Sequence, residues 1–140
     1  MNVEGNLAPE DCLFSSLVTP HTYSHFVADV LPRIKTDLRA RPGTGFRNHL
    51  AVLEEADPQA YYDYSFQLVE DSANGNLIDR FLALPLPRYF VYGAANRHLS
   101  YLPRLRASDC QVIEIVDADH FLFYDNPAAF ARCIASVMSP

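Results

Sequence analysis

Two short runs of β-branched and aromatic residues in the last third of the chain limit the possible folds most strongly. The first occupies residues 88–92 and ends at Gly93, and the second occupies residues 111–116. Runs of this kind are typical of buried strands. A helical pattern follows each run, marked first by Leu99, Leu102 and Leu105. Because a β-α-β-α order joins parallel strands through right-handed crossovers, the sequence predicts an α/β fold with a parallel sheet.

A helical block precedes these strands, at about residues 9–84. Its clearest segment has apolar residues at spacings of three and four, the pattern of an amphipathic helix: Phe26, Val30, Leu31, Ile34 and Leu38. The Pro-Gly run at residues 41–45 ends this helix, and Asp57-Pro58 is typical of a later helix start. Residues 1–6 resemble the end of a strand that enters a loop. The β-α-β-α tail is expected at about residues 88–138.

The composition excludes several functional classes. Of the 140 residues, 49% are hydrophobic and 20% are charged, which is typical of globular chains. A net charge of -6, with eleven basic residues scattered along the chain, provides no basic stripe for phosphates, so no nucleic-acid partner is expected. No apolar stretch approaches the ~20 residues that a bilayer span requires, and no signal-peptide pattern is present. We therefore expect a cytoplasmic protein without a membrane partner.

The cysteines and two histidines raise the question of a metal site. Cys12, Cys110 and Cys133 are odd in number and widely spaced, so we expect reduced, buried thiols rather than disulfides or a paired metal motif. His21 and His25 could share a helix face and bind zinc together with Cys12, but no fourth ligand has a suitable spacing. No metal and no cofactor are predicted.

The strongest chemical signal is His120, which lies just beyond the predicted strand at residues 111–116. Asn126-Pro127 then predicts the start of the final helix. In open α/β sheets, ligands bind at the carboxyl ends of the strands. A histidine in such a loop can act as a general base, so His120 is a candidate catalytic residue.

This arrangement resembles the α/β-hydrolase family, whose catalytic histidine follows the last strand and precedes a helix that often begins with an Asn-Pro or Glu-Pro step. His120 matches that position, and the segment Tyr92-Gly93-Ala94-Ala95-Asn96 is similar to the penultimate strand and its turn. The helical block resembles the cap inserted after strand six, and residues 1–5 resemble the end of that strand. The resemblance implies a partial α/β-hydrolase fold: a short parallel sheet of about three strands, flanking helices and a helical cap. Residues 1–140 would be the C-terminal portion of one such domain.

The candidate site departs from the family pattern in three places. None of the five glycines brackets a serine, so the nucleophile elbow G-x-S-x-G is absent. Asn96 stands at the usual acid position, and an amide cannot stabilise an imidazolium as a carboxylate does. Some members carry the acid after strand six, which makes Glu4 the candidate acid and Asn96 a relic or an orienting hydrogen-bond partner. The alternative for Glu4 is a solvated turn residue. Asp119, where the family commonly has a small residue, is expected to face solvent.

The resemblance implies hydrolysis of an ester, thioester or similar bond by a nucleophile, a histidine base and an acid, without a cofactor. The chain as given would be inactive without a nucleophile, and an in-frame G-x-S-x-G upstream of Met1 would show either that the start is misassigned or that the chain is a fragment. The alternative is a non-catalytic remnant or an interaction module.

The sequence leaves three kinds of partner open, the first of them for a complete domain and the other two as alternatives. The first is an acyl or other hydrophobic small molecule, for which aromatic residues of the cap could form a pocket, although packing explains the same residues. The second is a complementing N-terminal chain. The third is a second copy of this chain, because the strand at residues 89–92 would otherwise be an uncovered sheet edge.

Overall fold

The structure is a computed structural model that describes residues 1–138. Within these residues, three strands form one parallel sheet: β1 (Asn2–Val3), β2 (Tyr89–Gly93) and β3 (Gln111–Ile115). The sheet is flanked by helices, so the predicted α/β class is confirmed.

The strand order is β1-β2-β3, which makes β2 the central strand. Asn2 pairs with Phe90 and Val3 with Val91, while the pairing of β2 with β3 continues to Gly93 and Ile115. The prediction that residues 89–92 form an uncovered edge is therefore wrong at Phe90 and Val91, which pair with β1.

The helices lie close to the predicted positions. In chain order they are α1 (Ser15–Val18), α2 (Tyr23–His25), α3 (Leu31–Ala40), α4 (Thr44–Glu55), α5 (Pro58–Asn74), α6 (Leu77–Leu82), α7 (Leu102–Arg106), α8 (Leu122–Asp125) and α9 (Pro127–Met138). Single 3-10 turns occupy Pro9–Asp11 and Ala94–Asn96, and a π-helical turn at Phe26–Val30 joins α2 to α3.

The chain divides into two compact units. One comprises Asn6–Ile78, and the other comprises Met1–Gly5 with the chain from Asp79 onward. In the first unit the predicted apolar stripe is buried: Phe26, Val30, Leu31, Ile34 and Leu38. The ring of Phe26 packs against the rings of Tyr61 and Tyr62, with centroids 6.1 and 5.4 Å apart, so these aromatic residues have packing partners of their own.

The predicted helix start at Asp57-Pro58 is confirmed as the beginning of α5. The Asp57 carboxylate accepts a hydrogen bond from Gln59 N at 2.9 Å, and Pro58 occupies the first helical position. This is the usual chemistry of a helix N-terminus, because a side-chain oxygen satisfies a backbone donor that lacks an intrahelical partner.

The second unit is built around β2, whose side chains alternate between the two faces of the sheet. Phe90 contacts the ring of Tyr101 at a centroid distance of 5.6 Å on one face. Val91 belongs to a buried cluster with Leu122 of α8 and Cys133 of α9. Packing on both faces fixes the carboxyl end of β2, where the candidate site lies.

The predicted state of the cysteines is confirmed, since Cys12, Cys110 and Cys133 are all buried and free of disulfides. Burial raises the pKa of the Cys110 and Cys133 thiols, which disfavours the reactive thiolate. Among residues 1–138, no helix has the length and apolar character that a membrane span requires.

Candidate functional site

The candidate site residues follow the ends of all three strands. Glu4 comes directly after β1, Asn96 lies in the 3-10 turn after β2, and His120 lies beyond β3. Because the strands are parallel, their carboxyl ends meet at one edge of the sheet. The structure brings these three predicted residues together within hydrogen-bonding reach.

The central contact joins the carboxylate of Glu4 to the imidazole of His120. Glu4 Oε2 lies 2.9 Å from His120 Nδ1. The Glu4 side chain is 4% exposed, whereas the His120 side chain is 44% exposed. A carboxylate accepts the Nδ1 proton, so the neutral imidazole carries its lone pair on Nε2. This is the tautomer that a general base requires.

Glu4 is held by the backbone as well as by its side-chain partners. Its own N–H donates to Val91 O at 3.0 Å, which extends the pairing of β1 with β2. The N–H of Gly93 donates to Glu4 Oε1 at 2.6 Å. The alternative of a solvated turn residue is wrong, because Glu4 is only 6% exposed and its carboxylate is hydrogen-bonded within the fold.

The backbone of Glu4 is strained. Its φ of 41° lies in the left-handed region, which residues other than glycine seldom adopt. Such a conformation costs on the order of 1–3 kcal/mol and persists only where surrounding contacts fix it. The contacts with Val91, Gly93 and His120 provide that fixation, and strained residues of this kind cluster at functional sites.

A second histidine–carboxylate pair in the chain shows what distinguishes the first. His25 Nδ1 lies 3.0 Å from Asp29 Oδ2 one helical turn away, but the two side chains are 47% and 58% exposed. Water competes for both partners of this pair, so it imposes little orientation. The distances are nearly equal, and the burial of the carboxylate is what sets the Glu4–His120 pair apart.

Asp119 is part of the same cluster. Its Oδ1 accepts a hydrogen bond from His120 N at 2.7 Å and lies 3.3 Å from Asn96 Nδ2. Its own N–H donates to Asp125 Oδ2 at 3.1 Å. The expectation that Asp119 faces solvent is wrong, because the side chain is half-buried and fixes the backbone of the loop that carries His120.

Gly93 shapes the candidate site, and the sequence did not predict this role. Its φ of -79° and ψ of 145° suit any residue, so conformation does not require glycine here. The lack of space requires glycine, because a Cβ at this position would lie 2.4 Å from Asp119 O and 2.6 Å from Ala118 O. The missing side chain lets the loop before His120 approach the end of β2. The glycine directly after a predicted strand was the available signal.

The other histidines and Cys12 do not form a comparable site. The rings of His21 and His25 lie 4.7 Å apart, while Cys12 Sγ lies 3.2 Å from Asn6 Nδ2. His98 Nδ1 contacts Ala95 O at 3.2 Å. In the described part of the chain, no group of three His, Cys, Asp or Glu side chains is arranged to hold a metal ion.

Comparison with known proteins found no relative: no family model, no curated protein and no solved structure matches this chain.

Proposed function

We propose that this chain carries the acid–base pair of a hydrolase of the α/β-hydrolase type, which acts on an ester, thioester or similar bond. His120 is the general base and Glu4 is the acid that orients it. The observation that carries the proposal is the 2.9 Å contact between a buried carboxylate and a half-exposed imidazole. The succession of Glu4, Asn96 and His120 after consecutive neighbouring strands supports the same family resemblance.

The chemistry follows from the tautomer. With its Nδ1 proton held by Glu4, His120 Nε2 accepts the proton of a hydroxyl nucleophile while the oxygen attacks the acyl carbon. The imidazolium then returns this proton to the leaving group as its bond to the acyl carbon breaks. Glu4 accepts the Nδ1–H throughout and stabilises the imidazolium. Water then attacks the acyl intermediate in the same way and releases the acid.

The nucleophile is not identified among these residues, because no serine stands in a G-x-S-x-G elbow. Another segment or a complementing chain would have to supply it to the edge of the sheet where His120 lies. The absence of the elbow is also the observation that favours the alternative function, a non-catalytic remnant or interaction module.

The test is hydrolysis of p-nitrophenyl butyrate by this chain combined with a segment or a complementing chain that bears a G-x-S-x-G elbow. Glu4→Gln is expected to lower kcat by about 10⁴-fold and His120→Ala by about 10⁶-fold, as loss of the acid and of the base does in catalytic triads. Asp29→Asn and His25→Ala are the matched controls, since they remove the exposed pair, and we expect unchanged activity. Activity that survives both Glu4→Gln and His120→Ala would overturn the proposal. If neither oxygen esters nor thioesters are hydrolysed, the result favours the alternative function, an interaction module.

A further inference from the structure

We infer that Asn96 is a positioning residue that links the acid Glu4 to the loop that carries the base His120. The inference rests on the proposed function, because it explains how the acid–base pair keeps its geometry. Two roles were open for Asn96 from the sequence, a relic of the acid position and an orienting partner. The contacts of its amide nitrogen favour the second role.

The amide nitrogen of Asn96 contacts two carboxylates at once. Asn96 Nδ2 lies 3.1 and 3.0 Å from the two oxygens of Glu4. The same nitrogen lies 3.3 Å from Asp119 Oδ1. An amide NH2 group has two hydrogens, so one can be shared by the Glu4 oxygens while the other points to Asp119. Asp119 Oδ1 in turn accepts the backbone N–H of His120.

Chemistry fixes which end of the amide faces the carboxylates. A carbonyl oxygen placed between Glu4 and Asp119 would bring three acceptors together without a proton, so the NH2 group must occupy this position. A carboxylate at position 96 would create the same conflict with added charge. Once the acid is Glu4, position 96 therefore needs a neutral donor, and asparagine provides it.

The resulting chain of contacts runs from Glu4 through Asn96 and Asp119 to the backbone of His120. It joins the acid and the base by a second route, separate from the direct contact of Oε2 with Nδ1. Without Asn96, the link between the loop and Glu4 would depend on the direct contact, because the other bonds of the loop, from Ala95 N–H to Ala118 O and from Asp119 N–H to Asp125 Oδ2, do not reach Glu4. We expect His120 then to sample other ring orientations, in which Nδ1 is no longer held by Glu4.

The test measures the tautomer of His120 in the 140-residue chain by ¹⁵N NMR of the neutral imidazole. Asn96→Ala is expected to lower the ratio of the Nδ1–H to the Nε2–H form by about tenfold, the effect of losing one hydrogen bond to a charged group. Asn96→Asp should lower it further, and Asn96→Ser, which keeps one donor, should lie between wild type and Asn96→Ala.

Asn126→Ala is the matched control. Asn126 Nδ2 donates to Val116 O at 2.9 Å and its Oδ1 accepts from Ala129 N at 3.2 Å, so it caps the start of α9 without contacting Glu4. This variant should lower the melting temperature and leave the His120 tautomer unchanged.

The outcomes separate the inference from the proposed function. If Asn96→Ala and Asn96→Asp keep the wild-type tautomer while Glu4→Gln changes it, Asn96 has no positioning role and the proposed acid–base pair stands. If Glu4→Gln changes nothing, the proposed pair itself fails. An equal change in Asn126→Ala would show a general loosening of the fold and would also overturn the role of Asn96. If Asn96→Ala does not fold, Asn96→Ser tests the positioning role. A wild-type His120 tautomer in Asn96→Ser would refute the view that both hydrogens of the Asn96 amide are needed to link Glu4 to Asp119.

Discussion

A methyl group at position 93 should separate Glu4 from His120 without altering the chemistry of either side chain. In Gly93→Ala, the new Cβ would lie 2.4 Å from Asp119 O, whereas an ordinary contact of this type is at least 3.4 Å. The loop must therefore retreat by about 1 Å, which takes the 2.9 Å contact of Oε2 with Nδ1 beyond hydrogen-bonding distance. Backbone strain contributes nothing, because alanine readily adopts φ of -79° and ψ of 145°.

We expect two measurable effects of Gly93→Ala. The steric overlap should lower the free energy of unfolding by about 1–3 kcal/mol, as overpacking does in other folds. In the hydrolysis assay described above, the displaced loop should lower kcat by about 10²-fold, since a misplacement of about 1 Å has this effect on oriented catalytic groups. Urea denaturation and the hydrolysis assay measure the two quantities.

Gly75→Ala is the matched control for this overlap. Its Cβ would also lie 2.4 Å from a backbone carbonyl oxygen, that of Asp71, at the end of α5. A similar loss of stability with unchanged kcat is expected there. Gly93→Ala with wild-type kcat and an unchanged His120 tautomer would refute the view that this glycine positions the loop.

Three further predictions concern stability, reactivity and association. Hydrogen bonds from Arg97 and Tyr92 lower the pKa of Glu114 from 4.5 to about 2, so its charge stabilises the fold above pH 4.5 and this contribution is lost as the pH falls through about 2. Because the Glu114 side chain is 27% exposed, screening reduces the contribution to about 1–2 kcal/mol. In urea denaturation at pH 7, Glu114→Gln should lower the free energy of unfolding by this amount. A difference in the free energy of unfolding between wild type and Glu114→Gln that does not shrink below pH 4.5 would contradict the assignment. The 140-residue chain by itself should not react with a fluorophosphonate probe, and labelling at a single serine that His120→Ala abolishes would refute this. In the described residues, β1 and β3 each pair on one side only, so we expect self-association through a sheet edge. A chain that sediments as a monomer at micromolar concentration and unfolds cooperatively in urea would exclude it.

Local patterns predicted most of the fold. The stripe from Phe26 to Leu38 has the helical period and is buried, and the two β-branched runs are β2 and β3. The sequence did not show that β1 would cover the side of β2, because two residues are too few to display a period. Their pairing with Phe90 and Val91 joins segments 88 residues apart, and such contacts leave no local signal.

The site was predictable to a similar extent. His120 follows a strand directly, so its position could be inferred from neighbouring residues alone. Glu4 was assigned from the family resemblance, and its burial and strained backbone depend on contacts with distant strands. The roles of Gly93 and Asp119 arise where the loop before His120 crosses the end of β2. No spacing in the sequence encodes that crossing, so these roles required the structure.

The central claim is that Glu4 sets the tautomer of His120, and Glu4→Gln tests it most directly. Gly93 N–H donates to the Oε1 position at 2.6 Å, so the amide oxygen of the new glutamine must occupy that position. Its NH2 group then faces His120 Nδ1, which has to become the acceptor. We predict by ¹⁵N NMR an Nδ1–H imidazole in the wild type and an Nε2–H imidazole in Glu4→Gln. His25 should show no such reversal in Asp29→Asn, and the same His120 tautomer in wild type and Glu4→Gln would contradict the account.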